Sequence, residues 1–175
     1  MTEALAIAVT GTRRLDSARE TTLSGVVRAY LEQGYKISTG GAQGADQVAV
    51  RAVEDPQRLE LYLPWASFEA EAISGRASIV VLADDLPGVY TDYARRAHPL
   101  WDRLNDAARR LMIRNVGIVL RRPGQDPSAL VLATPDVRRP GWGGTGHTMR
   151  IAHNFGIPVW LLRPEEPETW VLWKG

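Results

Sequence analysis

Three glycine-bearing segments carry residue types suited to holding an anion. The first is Thr10-Gly11-Thr12-Arg13-Arg14, and the second is Gly40-Gly41-Ala42-Gln43-Gly44-Ala45-Asp46. The third is Gly141-Trp142-Gly143-Gly144-Thr145-Gly146-His147-Thr148. Glycine lets a backbone approach a ligand closely, and the amides that open a helix carry about half a positive charge. The competing reading is that these glycines only make tight turns. With this glycine content the GGxxG spacing arises by chance in roughly one chain in eight, whereas GxGG-x-G arises in about one in a hundred, so the third segment carries more weight.

Side chains add to the backbone amides. Thr12, Thr145 and Thr148 bring hydroxyls that can donate to phosphate or ribose, and Arg13 or Arg14 can grip an anion with two parallel bonds. Arg13 is the stronger candidate because its loop directly follows the first strand. Asp46 either accepts from a ligand hydroxyl or complements the positive end of a helix. His147 lies within the third loop, as ligand contact or structural group; no carboxylate neighbour in sequence equips it for acid-base work. Arg114-Asn115 falls near the far end of a helical stripe, as ligand contact or as cap and surface charge. Trp142 can stack on a base.

These residues need elements to position them. Ala4 to Val9 is an apolar run of the kind buried on both faces of a parallel sheet, ended by Thr10-Gly11. Ser17-Ala18-Arg19-Glu20 reads as a capping box, followed by Leu23, Val26, Val27, Tyr30 and Leu31 at helical spacing and a stop at Gly34. Strands at Tyr35 to Thr39 and Leu59 to Leu63 flank a helix opened by the second glycine segment. The stretch from about 65 to 127 reads as an irregular helical insertion. It has a helix near Phe68 to Ile73, an apolar run of uncertain type at Ser78 to Leu82, and a stripe from Leu100 to Leu111. A fourth strand at Ala129 to Ala133, a helix at Thr148 to Phe155 and a fifth strand at Pro158 to Leu162 complete the pattern. The expected fold class is α/β: a Rossmann-like parallel sheet of about five strands, with helices on both faces, in one domain spanning residues 1–175. Ligands of such folds sit beyond the carboxyl ends of the strands, which is where all three glycine segments fall.

Composition narrows the function. The chain has 175 residues, 45% hydrophobic and 23% charged, so a single core needs no covalent staple. Cysteine is absent and there are three histidines, which excludes thiolate chemistry and argues against a metal centre. Net charge is +1, against the strong positive field of an obligate nucleic-acid binder, so nucleic acid is not the expected partner. The opening Met1-Thr2-Glu3 has no basic leader and no apolar run suits a membrane, so the expected location is cytoplasmic.

Taken in order, Val9-Thr10-Gly11-Thr12-Arg13, Thr39 to Asp46, Leu63-Pro64-Trp65 with Phe68, Arg114-Asn115 and Gly143-Gly144-Thr145-Gly146 resemble the SLOG superfamily, the SMF/DprA and LOG group. The likeness runs from about Ala4 to Leu162 and is closest to the YpsA/YspA-like branch, whose second loop commonly reads GGA-x-GAD. It implies a Rossmann-like domain that binds a nucleotide, a nucleotide-derived signal or a phosphorylated sugar, and that frequently forms a homodimer. LOG-type phosphoribohydrolases carry PGGxGTxxE, whose glutamate supports cleavage of the base-ribose bond. Here residues are inserted after Pro140, and Met149 and Arg150 stand where that glutamate would fall, so the expected carboxylate is missing. DprA-like relatives bind single-stranded DNA.

The leading expectation is therefore binding or sensing of a nucleotide-derived or phosphorylated-sugar ligand, with no cofactor and no metal. The ligand would contact Gly11, Thr12 and Arg13; Gly40 to Asp46; Arg114 and Asn115; and Gly143, Gly144, Thr145, Gly146, His147 and Thr148. The alternatives are a phosphoribohydrolase drawing its acid from Asp46, Glu69, Glu71, Asp84 or Asp85, and, third, a single-stranded-DNA binder. Trp170 to Trp173 forms either a partner contact or packing on its own domain.

Overall fold

A computed structural model describes residues 3–136 and 142–175. The glycine loop's Gly141 and the preceding Pro140 lie outside the described residues. The apolar runs form strands β1 (Ala6–Gly11), β2 (Lys36–Thr39), β3 (Leu59–Leu63), β4 (Ile79–Leu82), β5 (Val131–Thr134), β6 (Val159–Leu162) and β7 (Trp170–Leu172). They make one seven-stranded sheet in the order β4-β3-β2-β1-β5-β6-β7. Every neighbouring pair is parallel except β6 with β7.

Alternation along the strands assigns a side of the sheet to each helix. Ile7 and Val9 of β1 pack with Leu23 and Val27 of α1 (Ser17–Glu32), Val48 and Ala49 of α2 (Ala45–Ala52), and Ile73 of α3 (Ala70–Ile73). Ala8, between them, belongs to the opposite cluster. That cluster holds Tyr90 and Ala94 of α4 (Gly88–Arg96), Val116 and Ile118 of α5 (Asp106–Leu120), and Met149 and Ile151 of α6 (Gly143–Asn154). The strands of a sheet covered on both faces must be apolar at consecutive positions, which is why β1 is readable in the sequence.

Three expectations are corrected. The sheet has two strands more than the five expected: β4 and β7. β4 is an edge strand with Val80 52% exposed, so its run lacks the closed burial of a central strand. The stretch expected to be an irregular helical insertion thus supplies an edge of the sheet and, in α5, a core helix. α5 runs on to Leu120, and every residue from Arg114 to Leu120 is buried. A helix buried all round loses the one-sided stripe that marks its end. The cap of α1 is Asp16, whose carboxylate accepts from the Arg19 amide at 2.9 Å, and not Ser17. The terminal Trp170–Leu172 pairs antiparallel with β6, and Trp173 packs on the second cluster, so this segment rests on its own domain.

Strand order reverses between β1 and β5, because β2 to β4 extend to one side and β6 and β7 to the other. A crevice opens at the carboxyl end of such a switch point.

Candidate functional site

A cleft of about 330 Å³ occupies that crevice. Gly11, Thr12 and Arg13 reach it from the end of β1; Ala42 and Asp46 from the turn before α2; Arg114 and Asn115 from α5; and Gly143, Gly144 and Thr145 from the start of α6. Four segments far apart in sequence therefore meet at one place. Gly40, Gly41, Gln43, Gly44, Ala45, Gly146, His147 and Thr148 do not line it.

Arg114 forms the charged floor. Its side chain is 8% exposed, with Nη1 3.6 Å from Asp46 Oδ2 and Cζ 5.5 Å from the centre of the Phe68 ring. Among the described residues, Nε and Nη1 have no hydrogen-bond partner. Burial pulls both members of the Arg114–Asp46 pair toward neutrality, lowering the guanidinium and raising the carboxyl, while each charge opposes the other's shift. The positive charge of Arg13 pushes Arg114 down further, so two cations share this corner. Asp46 also accepts from the Ala42 amide at 3.2 Å, which closes the turn upon itself.

Gly40 is what admits Arg114. A Cβ on Gly40 would lie 1.2 Å from Arg114 Nη1 and 3.0 Å from Asp46 Oδ2. Gly44 has φ +87°, and a Cβ there would lie 2.2 Å from the Thr12 carbonyl oxygen. That carbonyl accepts from the Ala45 amide at 3.1 Å, and the Gln47 amide donates to Ala42 O at 3.2 Å. The second glycine segment thus spends its glycines, and two of the amides opening α2, on internal packing.

The third segment is built the other way. Gly143, Gly144 and Thr145 are the first turn of α6, not a loop before it. Among the described residues no side chain caps this turn, and nothing lies within 4 Å of a Cβ placed on Gly143. Its leading amides have no partner inside the helix, and they carry its positive end. Trp142, 66% exposed, stands beside them on the rim.

His147 and Thr148 lie one turn further on, fully buried. His147 Nε2 is 2.8 Å from Ala94 O, and Nδ1 is 3.2 Å from Asn115 Nδ2. Burial holds its pKa down at about 4, with the charge of Arg150 acting the same way. It is a neutral imidazole beneath the cleft wall. Thr148 Oγ1 donates to Gly144 O at 2.9 Å. Among the carboxylates expected as alternative acids, Asp46 borders the cleft; Glu69, Glu71, Asp84 and Asp85 do not line it.

The cleft also contains residues that sequence reasoning left out, Leu111, Met112 and Asp136, and it is lined by Arg14, the weaker candidate of its pair. Asp136 follows β5 and accepts from the Thr12 hydroxyl at 3.5 Å. Its position just past a central strand was the available signal. Leu111 precedes Arg114, and Met112 precedes Asn115, by three residues, which becomes informative once that pair faces a ligand. Arg19 was read only as part of a cap, yet its buried guanidinium donates to Pro135 O at 2.8 Å and fixes α1 to the segment after β5.

Among known proteins, no family model matches the chain, and no curated protein does. A solved structure that does match is DNA processing protein A (DprA) from Helicobacter pylori, described for its single-stranded-DNA binding mode. Identity is 15% over 90% of this chain, with a TM-score of 0.52, and the chain spans 64% of that protein's length. The fold is therefore similar to that of DprA. Among the described residues, no helix is long and apolar enough to cross a membrane.

Proposed function

We propose that this DprA-like fold binds a phosphorylated nucleoside or sugar in the β1/β5 cleft, and that the chain belongs with the YpsA/YspA-like branch of the SLOG superfamily. One observation carries the reading: the buried Arg114, with two nitrogens unbonded among the described residues, lies on the same cleft as the first turn of α6, which no described side chain caps. A phosphate accepts from backbone amides at the helix start while its charge offsets Arg114 and Arg13. Trp142 offers a flat apolar face to a base. The missing LOG-type glutamate favours binding or sensing over hydrolysis. The resemblance that suggests this branch also suggests a homodimer.

Calorimetric titration with the four 5′-ribonucleoside monophosphates and ribose 5-phosphate tests the reading. At least one should bind, and Arg114→Met should weaken it by tenfold or more, since a hydrogen bond to a charged group contributes about 1.5–3 kcal/mol. Silence from all five overturns it. Release of free base on incubation would convert the binding reading to a phosphoribohydrolase.

A second reading, single-stranded DNA, is favoured by Trp142 and the Arg13-Arg14 pair on one rim, a stacking platform beside cations, and by the ligand named for the H. pylori protein. A thymidine oligonucleotide that binds with steep salt dependence while every mononucleotide is silent would select it.

A further inference from the structure

We infer that Asn115 turns its Oδ1 into the cleft as a fixed hydrogen-bond acceptor, held by His147, so that the site selects a ligand with a sugar hydroxyl beside its phosphate. The inference rests on the binding reading above and names what the cleft recognises. Ala94 O can only accept, so His147 Nε2, 2.8 Å away, must carry a hydrogen. A neutral imidazole has a single N–H, which leaves Nδ1 a bare lone pair. The Asn115 atom 3.2 Å from Nδ1 must then be the amide nitrogen. The same nitrogen lies 3.4 Å from Gly144 O, a second acceptor. Both amide hydrogens are thereby committed.

The orientation of an asparagine amide is ordinarily ambiguous between its oxygen and nitrogen. Here two acceptors on one side decide it. Oδ1 meets no donor among the described residues, and Asn115 borders the cleft. Because Asn115 is bonded to Gly144, in the turn that would hold phosphate, the group within its reach is the sugar rather than the base. His147 touches no part of the ligand and is a positioning residue. The groups that bear on its protonation are His98, with ring centres 5.6 Å apart, and Arg150 on α6, both disfavouring a positive imidazole.

Two measurements on the whole chain test this. Nitrogen-15 NMR of the ligand-free protein at neutral pH should show His147 protonated at Nε2 alone; protonation at Nδ1, or at both nitrogens, overturns the proposal. Adenosine 5′-monophosphate should bind about five- to tenfold tighter than its 2′,3′-dideoxy analogue, the size expected for one hydrogen bond. Equal affinities overturn the proposal and leave the binding reading standing, whereas silence from both nucleotides, from the other three ribonucleoside monophosphates and from ribose 5-phosphate removes the binding reading and the sugar selection together. His147→Phe should bring the affinity for adenosine monophosphate down to that of the dideoxy analogue while the analogue's own affinity stays within twofold. A merely structural role would weaken both alike.

Discussion

Two glycine-rich turns open helices at the same end of the sheet, and they use glycine for opposite purposes. The turn before α2 is filled: Gly40 yields its volume to Arg114, and Gly44 yields to the Thr12 carbonyl. The first turn of α6 is empty: among the described residues, Gly143 has no atom within 4 Å of a Cβ position, and Gly144 has only Asn115 Nδ2, at 3.9 Å. Spacing does not distinguish the two. What differs is what stands opposite, a buried guanidinium and a backbone carbonyl in one case and open cleft in the other. The filled turn builds the charged floor, and the empty turn presents amides.

The sharpest way to break that contrast is Gly44→Ala. The substitution forces φ +87° on an alanine and drives its Cβ into backbone, which cannot rotate away. Combined left-handed strain and overpacking predict a loss of about 3 kcal/mol or more. Chemical denaturation measures it, and a loss under about 1 kcal/mol would mean the turn is not packed as described.

The empty turn is anchored from below by His147, and acid should release that anchor. A histidine lowered from 6.5 to about 4 binds fewer protons folded than unfolded between those values. Stability contributed by the neutral ring is therefore full above pH 6.5 and is lost as pH falls toward 4, by about 3 kcal/mol in all. Asp46, whose carboxyl is raised by burial, works against this, since its protonation favours the folded state just above the ordinary carboxylate range. Denaturation midpoints followed from pH 7 to 4 should fall, and the His147→Phe variant should remove most of the slope. An unchanged slope in that variant would assign the acid sensitivity elsewhere.

Gly40→Ala is the next smaller effect and separates stability from binding. Its Cβ meets the tip of a long side chain, so Arg114 can swing aside at a cost of about 2 kcal/mol, losing Asp46 and the Phe68 face. Nucleotide affinity should fall by tenfold or more, because the displaced guanidinium no longer faces the cleft. Preserved affinity would show that Arg114 does not meet the ligand.

The filled turn explains how much of this site was legible. Gly40, Gly44 and Asp46 stood out as a motif, but that the partner of Gly40 is Arg114 depends on α5 crossing behind β2, which no local pattern encodes. Arg114-Asn115 was readable as a pair, yet its burial was not. The stripe that would have extended α5 disappears where the helix is enclosed, so the pair looked terminal when it is internal. The central strands were legible because burial on both faces makes them uniformly apolar. β4 and β7 lie at the margins and pair on one side, which leaves a weaker imprint. His147 shows the converse: its place among glycines suggested a ligand contact, but half a helical turn past Thr145 carries it under the surface to Ala94.

The smallest predicted effect is the most discriminating, because its sign is opposite. Gly144 lies in the first turn of α6 without a left-handed φ, and among the described residues the nearest atom to an added Cβ is 3.9 Å away, an ordinary contact. Replacing glycine with alanine in such a place lowers the entropy of the unfolded chain without strain, so Gly144→Ala should raise stability by about 0.5 kcal/mol. The methyl group would nevertheless stand where the amides approach an anion, and nucleotide binding should weaken. Greater stability with poorer binding would mark an open turn kept bare for a ligand, whereas a destabilised Gly144→Ala would show that α6 begins as tightly packed as α2.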